Sequence, residues 1–382
     1  MRRTPILLAT SMCLAVLVTV AVPDSVAFGA GTSSPMGASV VPAGFHVQSI
    51  SWVSPMHGWM LGVAPCGDAT CTTVAGTTDG GATWSVLGTM TAPLTMGEKK
   101  GGLSEIRFAD DLHGWAFGPA LWATTNGGSK WRKQTLPGGG QFVVALSADA
   151  DAVYLLVSPC AFNGDPSLCT DPLTLWRTTP ADGTWTQVSL TLPVARQGIL
   201  AQHGLVAYLV VLVDEIKPDI LKATVDGKHW SSRPDPCHKD KDEFLTSIAP
   251  SSDTKIALLC QANIGFGKAA KRVLRSKDTG LTTTGAGKLP LYGIQTQLAA
   301  TPSGILSAAS YSIGSWIYRN DGGRTWTTPI DLGDGGQGWN DIVFTTNKIG
   351  WVVHGPATCC GNNGPGQLGE TTDGGLTWAP VS

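Results

Sequence analysis

The sequence predicts an all-β protein, a seven-bladed β-propeller of four-stranded antiparallel blades, on three observations. An eight-residue phrase recurs seven times, strand-like runs joined by polar turns precede the copies, and glycine and proline are abundant without collagen periodicity. The copies are TTDGGATW (77–84), TTNGGSKW (124–131), TTPADGTW (178–185), ATVDGKHW (223–230), SKDTGLTT (276–283), RNDGGRTW (319–326) and TTDGGLTW (371–378). Their starts lie 43 to 54 residues apart, a period at which solenoids and propellers repeat. The 48 glycines and 24 prolines supply the turns that many short strands require.

Each repeat reads as strand A, a turn, strand B, a loop, strand C, the phrase and strand D. SISWVSPMHGWMLG, EIRFADDLHGWAFG and DIVFTTNKIGWVVHG carry strands A and B in repeats one, two and seven. VVALSADADAVYLLV and LTSIAPSSDTKIALL keep the pattern without the Gly-Trp pair. Four-stranded sheets set around an axis hide most strand edges. A linear solenoid is the competing architecture and normally carries distinct terminal caps.

The phrase, paired with strands of the F…HGWA.G kind, resembles the Asp-box or BNR repeat of sialidases, sortilin-type receptors, some xyloglucan-degrading enzymes and photosystem II assembly-factor propellers. The assembly-factor type is the most similar, over residues 45–382. The resemblance implies Asp-box hairpins between strands C and D and leaves activity open, because members share the box and differ in function.

Within such a hairpin an acid at the third position accepts N–H bonds of its own turn, and glycine at the next two permits positive φ. Asp79, Asp278, Asp321 and Asp373 hold that place, with Asn126 as a hydrogen-bonding substitute. Trp84, Trp131, Trp185, Trp230, Trp326 and Trp378 close six copies and are expected to pack on the blade, while Thr283 replaces the tryptophan of the fifth. The third copy has its Asp two places late and the fourth is one residue short, so altered turns are expected in blades three and four. Trp59, Trp115 and Trp351 belong to the Gly-Trp strands, which leaves five of fourteen tryptophans for an aromatic sugar platform.

The first residues read differently. Arg2 and Arg3, an apolar run over 6–22 and small residues at 25–27 match an export signal. The expected organisation is a signal peptide at 1–29, a linker at 30–44 and one propeller domain at 45–382. Eight cysteines then remain, which favours disulfides in an exported chain. The preferred pairs are Cys66 with Cys71, Cys160 with Cys169 and Cys237 with Cys260, leaving Cys359 beside Cys360. All eight map to the face that carries the B–C and D–A loops, where the loop lengths vary most and where function is expected. The expected location is secreted or on the exterior of the cell envelope, with no membrane span once the signal is removed.

Charged residues are 14% of the chain and the net charge is −2, which excludes the electrostatic footprint of a nucleic-acid binder. No arginine lies between Arg3 and Arg107, so the bidentate clamp of a sialidase is missing from the first blade. Asp68, Asp165, Asp171, Asp214, Glu215, Asp341 and Glu370 are the carboxylates available to a glycosidase pair, and the sequence gives no spacing between them. There is no HExxH and no GxSxG. DLGDGG (331–336) and HKDKDE (238–243) lack the spaced ligands of a calcium loop, and His57 and His113 recur in the Gly-Trp turns as structural residues.

Glu105, Arg107 and Asp341 alternate with buried positions on strands A and are the candidate binding residues facing the axis. Taken alone, Glu105 and Arg107 also fit a solvated ion pair. The expected function is an exported non-catalytic scaffold that binds a protein or glycan partner through its disulfide-stapled face, without cofactor or metal. The alternative is a secreted glycoside hydrolase, sialidase-like or xyloglucanase-like, using carboxylates of the same face.

Overall fold

Seven four-stranded antiparallel sheets follow one another along the chain, each with its strands in sequence order and each cut from one contiguous stretch. The structure is a computed structural model that describes residues 41–95, 100–162, 169–213, 219–238, 243–335, 337–355 and 366–381. Blades one to seven occupy 46–90, 105–133, 142–187, 197–233, 244–289, 295–332 and 339–380. Among the described residues there is one short 3₁₀ turn, Pro137–Gly139, and no helix long and apolar enough to cross a membrane. The expected signal peptide, most of the expected linker, Cys359 and Cys360 lie outside the described residues.

Position within a blade dictates composition. Strand B has a neighbouring blade on each face, so Gly114–Phe117, Ala152–Ser158 and Gly350–His354 are buried at every residue. That double cover explains their continuous apolar runs. Strand A borders the axis, and Glu105–Phe108 alternates half-buried with buried. Strand D lies on the rim, where Arg132–Lys133, Thr186–Gln187 and Ala379–Pro380 are exposed.

The hydrophobic core is accordingly divided into seven clusters, and each bridges two adjacent blades. All fourteen tryptophans fall within or against these clusters. The closing tryptophans of the octets therefore pack between blades, and so do the five that the sequence left for a sugar platform.

Ring closure uses side chains, because blades one and seven exchange no strand. Trp52 stacks on Trp351 with centroids 4.9 Å apart, and Trp84 meets both rings edge-on at 5.6 and 6.2 Å. Gly81 has φ +87°, and a Cβ on it would lie 2.3 Å from the Trp351 ring. The octet glycine thus makes the turn and also leaves room for the aromatic seam. The Val47 amide donates to the Gly366 carbonyl across the same seam at 3.1 Å.

In blades one, two, five and seven octet side chains clasp the C–D hairpin, and the first octet residue takes part. Asp79 accepts the Thr83 amide and hydroxyl at 2.9 and 2.6 Å. The first octet residue, Thr77, donates its hydroxyl to Asp79 and accepts the Gly81 amide at 3.0 Å. Asp278 with Ser276 and Asp373 with Thr371 repeat this arrangement, as does Asn126 with Thr124. In the fifth octet Thr279 takes the left-handed glycine position at φ +58°. Arg233 of blade four holds it by hydrogen bonds to its carbonyl and hydroxyl, and such support is what a β-branched residue there requires.

Blades three, four and six depart from that geometry; in blade three the Gly183 amide donates to the Thr179 carbonyl at 3.3 Å. In blade four Asp226 accepts the Lys228 and His229 amides, a tighter turn. In blade six Asp321 does not brace the turn; it pairs with Arg319 and is largely exposed. Its neighbour Asn320 does the work, accepting the Gly322 amide and donating to the Thr325 carbonyl. Asn320 is 1% exposed and also accepts from Arg275 at 2.7 Å. Asn320→Ala should therefore lower the thermal midpoint more than Asp321→Ala, by the roughly 1–3 kcal/mol that stranding buried partners costs. The reverse order would return the fastener role to Asp321.

Acid should loosen these clasps in a defined window. Hydrogen bonds from Thr83 lower the Asp79 pKa, and those from Thr282 hold Asp278 down to about 2. At Asp373 burial pushes upward, but the bonds from Thr377 outweigh it. A carboxyl depressed in the folded state stabilises fully above its unfolded value near ~4 and loses that contribution as pH falls through the folded value. Thermal midpoints should thus fall between about pH 4 and pH 2, and Asp278→Asn should flatten part of that decline.

Candidate functional site

The seven innermost strands enclose an axial cavity of about 520 Å³ lined from every blade. In four of them the sequence inserts one extra residue near the strand start, so the register shifts past Gln48, Val144, Thr246 and Asn340. A bulge re-aims its side chain, and all four bulged residues line the cavity. Strands A begin on the side of the B–C and D–A loops, so this collar lies toward the face that bears the disulfides.

Just inside the collar, strand A side chains link one blade to the next. Ser49 Oγ accepts the Ile106 amide at 3.2 Å, Ser247 Oγ accepts the Leu298 amide at 3.0 Å, and Asp341 Oδ2 accepts the Ile50 amide at 3.1 Å. Glu105 occupies the same place in blade two, one residue before buried Ile106. Two carboxylates therefore stand where blades one and five carry a serine.

Arg107 answers both. Its Nη2 donates to Glu105 Oε2 at 3.0 Å and to Asp341 Oδ1 at 3.2 Å, and its Nη1 donates to Ser49 Oγ at 3.1 Å and the Ile106 carbonyl at 2.7 Å. Ser49 in turn donates to Asp341 Oδ2 at 2.6 Å. The three candidates thus form one cluster across blades seven, one and two, with Ser49 as a fourth member. Only its lack of charge hid Ser49 from sequence reading. Burial pushes the Glu105 carboxyl up, which Arg107 partly opposes. Burial opposes the charge of Arg107, and Asp341 then Glu105 more than restore it.

The opposite wall is different. Blades three and four contribute Val144, Ala145, Leu146, Ile199 and Leu200. The lining therefore pairs an ionic wall, to which Gln48 and Asn340 add amides, with an apolar one, and Gln297 of blade six stands between them. Trp339 lies at the mouth, but it is 2% exposed and its indole N–H donates to the Ser310 carbonyl.

The other residues singled out from sequence lie elsewhere. Cys66 bonds to Cys71, Cys160 to Cys169 and Cys237 to Cys260, the last joining the loop before blade five to that blade's strand B. Of the carboxylates available to a glycosidase pair only Asp341 lines the cavity, while Asp165, Asp214 and Glu215 fall outside the described residues. Asp334 of the DLGDGG turn pairs with buried His354 at 2.7 Å. His57 and His113 pair with Asp111 and Asp110 in the turns of the octet face. Among the described residues no group of three or more His, Cys, Asp or Glu converges as a metal site would.

Arg107→Met should expose the coupling within the cluster. Glu105, already raised, loses its one favourable charge and rises further. A carboxyl raised in the folded state costs nothing while protonated and destabilises as pH climbs past its unfolded value. The variant should melt close to the parent at pH 4 and fall behind it toward pH 8, by on the order of 1–3 kcal/mol. A pH-independent difference would mean that Arg107 acts by packing alone.

No protein-family model and no curated protein matches the sequence. Solved structures match in fold. YCF48 bound to a D1 peptide is 19% identical at TM-score 0.53, over 86% of this chain and 97% of that one. An oligogalacturonate lyase from Vibrio parahaemolyticus is 8% identical at TM-score 0.56, over 87% and 92%. An acylaminoacyl peptidase from Pyrococcus horikoshii is 10% identical at TM-score 0.55, over 88% of this chain and 52% of that one. At these identities the likeness is one of architecture, and the chain takes its place among seven-bladed β-propellers.

Proposed function

We propose that this chain is an exported, non-catalytic propeller of the Asp-box type that binds a segment of a partner protein at the mouth of its axial cavity, on the disulfide-bearing face. The observation that carries the reading is the saturation of the cavity's ionisable groups by one another. Asp341 is held by Ser49, Ile50 and Arg107, and Arg107 is shared between two carboxylates. Groups so engaged are poor proton shuttles and a good rigid frame for recognition.

The two-sided lining favours a peptide as occupant, because apolar side chains and backbone amides can both be met there. The fold likeness to YCF48, which was solved with a peptide bound, supports a protein segment over a glycan. The placement of every tryptophan in the blade contacts speaks against a tryptophan platform for a sugar.

One observation favours the glycosidase alternative. Glu105 has a raised pKa and shares Arg107 with Asp341, as a general acid beside a second carboxylate would. The sialidase form is weakened because the described cavity lining holds a single arginine.

The decisive variant is Val144→Trp, which plugs the mouth without touching the ionic wall. Affinity capture from native envelope and culture medium should recover a partner with the parent and lose about tenfold or more with the variant, the factor expected on blocking a central contact. Equal recovery would remove the channel mouth from the interface. Turnover of a sialoside or plant glucan, abolished by Glu105→Gln, would establish the glycosidase reading instead.

A further inference from the structure

Blades five and six carry a cluster of exposed apolar side chains that the cavity reading does not use. The hairpin between strands Ile256–Gly265 and Lys268–Ser276 has Ile264 and Phe266 at its tip, and Phe266 is 97% exposed. Strand A of this blade begins pairing only at Gln261, so the tip projects about 10 Å beyond it at ~3.3 Å per residue. The turn residues Gly265, Phe266 and Gly267 all have positive φ, which drives the phenylalanine outward at some conformational cost.

Two further segments pack beside the tip. Leu291, Tyr292 and Ile294 belong to the loop between blades five and six, and Ile313 tops the next B–C hairpin; all four are exposed. The Gly267 carbonyl accepts the Gly293 amide at 3.2 Å and the Ser312 hydroxyl at 2.8 Å, tying the three segments together. Beneath them the buried Lys271 ammonium donates to the carbonyls of Tyr292 and Gly293. Tyr292 stacks on Trp316 at 5.5 Å with the Lys268 ammonium over its ring. The apolar residues are thus presented outward by a built support.

Charge selects among possible occupants. Residues 262–272, 289–297 and 309–316 contain Lys268, Lys271 and Arg272 and neither Asp nor Glu, in a chain with 28 acidic residues. Arg272 is matched by Glu243 from outside the cluster and Lys271 is buried against the loop carbonyls, which leaves Lys268, over the Tyr292 ring, as the accessible cation of these segments. A protruding wedge of Phe, Ile, Leu and Tyr with lysine at its base is the pattern of an interfacial membrane anchor, where the rings enter the headgroup boundary and the cations face anionic lipid. A convex tip is poorly suited to enclosing a peptide, which needs a groove or a free strand edge. The chain also enters its first strand from this same face.

We propose that the blade five and six hairpin tips, with Phe266 at the apex, dock this propeller onto an anionic lipid surface. Docking leaves the axial cavity beside the bilayer, and it does not depend on what that cavity binds.

Exported protein should co-sediment with vesicles of phosphatidylcholine and phosphatidylglycerol, less with phosphatidylcholine alone, and less again at high salt. Phe266→Ser combined with Ile313→Ser should cut association by roughly tenfold or more, the factor that about 1.4 kcal/mol of lost apolar burial produces. Phe266→Leu should restore most of it, and matched melting curves will show that the ring is intact. Val144→Trp should bind vesicles like the parent, which separates this test from that of the cavity. Failure of the parent to bind, or equal binding by the double variant, overturns the proposal. Loss of a captured protein from the double variant without vesicle binding assigns the wedge to a protein partner and overturns it equally.

Discussion

Each blade is a sheet with two apolar faces, and neither can face water. That constraint governs the molecule. Strand B is buried on both sides only when a blade has two neighbours, so a row of blades would leave an apolar face bare at each end. Joining the ends removes both faces at once, and here it is achieved without exchanging a strand. The Trp52, Trp84 and Trp351 contact, with the close approach of Gly81 to Trp351, carries that junction on the octet face. A stacked and edge-on aromatic cluster supplies large apolar burial with fixed geometry, which suits a seam that lacks the register of a shared sheet.

The same junction continues inward to the axis. Asp341 comes from the last blade, Ser49 from the first and Arg107 from the second, so the cluster that lines the cavity also ties the ends of the chain together near the axis. Where blade five uses neutral Ser247 to reach its neighbour, blade seven uses a carboxylate. The blade-to-blade hydrogen bond to a backbone amide is preserved, and a charge is added that must then be compensated. Arg107 compensates it at the cost of desolvating a guanidinium. A ligand that displaced Arg107 would remove the side-chain bonds that tie blade two to Ser49 of blade one and Asp341 of blade seven.

Sequence reading recovered what depends on repetition. The octets, their spacing and the alternation of strands A are local and periodic, so seven blades and the clasping role of Asp79, Asp278 and Asp373 were legible. Asp321 shows where that reading fails. RNDGGRTW aligns its Asp with the others, yet buried Arg319 draws that carboxylate outward, and Asn320, whose amide both donates and accepts, takes over the turn. Thr77 went unnoticed for another reason: a hydroxyl that binds both a carboxylate and a buried amide looks like any other strand threonine. The axial cluster was half legible. Period-two alternation aims Glu105, Arg107 and Asp341 at the axis, but their meeting depends on ring closure, which sets blade seven beside blade one and leaves no local mark in the sequence.

The two faces of the disc differ for a physical reason. On the octet face six of the seven C–D hairpins are closed by their own side chains, so they have little freedom to lengthen without losing the hydrogen bonds that hold them. The opposite face has no such internal clasp, and its hairpins extend until something else fixes them. In blade one that is Cys66 with Cys71, in blade three Cys160 with Cys169, and between blades four and five Cys237 with Cys260. At blades five and six the support is different: Lys271 and the Gly267 carbonyl bind three loops into one block. Covalent and ionic supports of this kind stabilise loops without requiring them to be short. They leave the outward side chains unconstrained by packing, and on this face those side chains include a fully exposed phenylalanine.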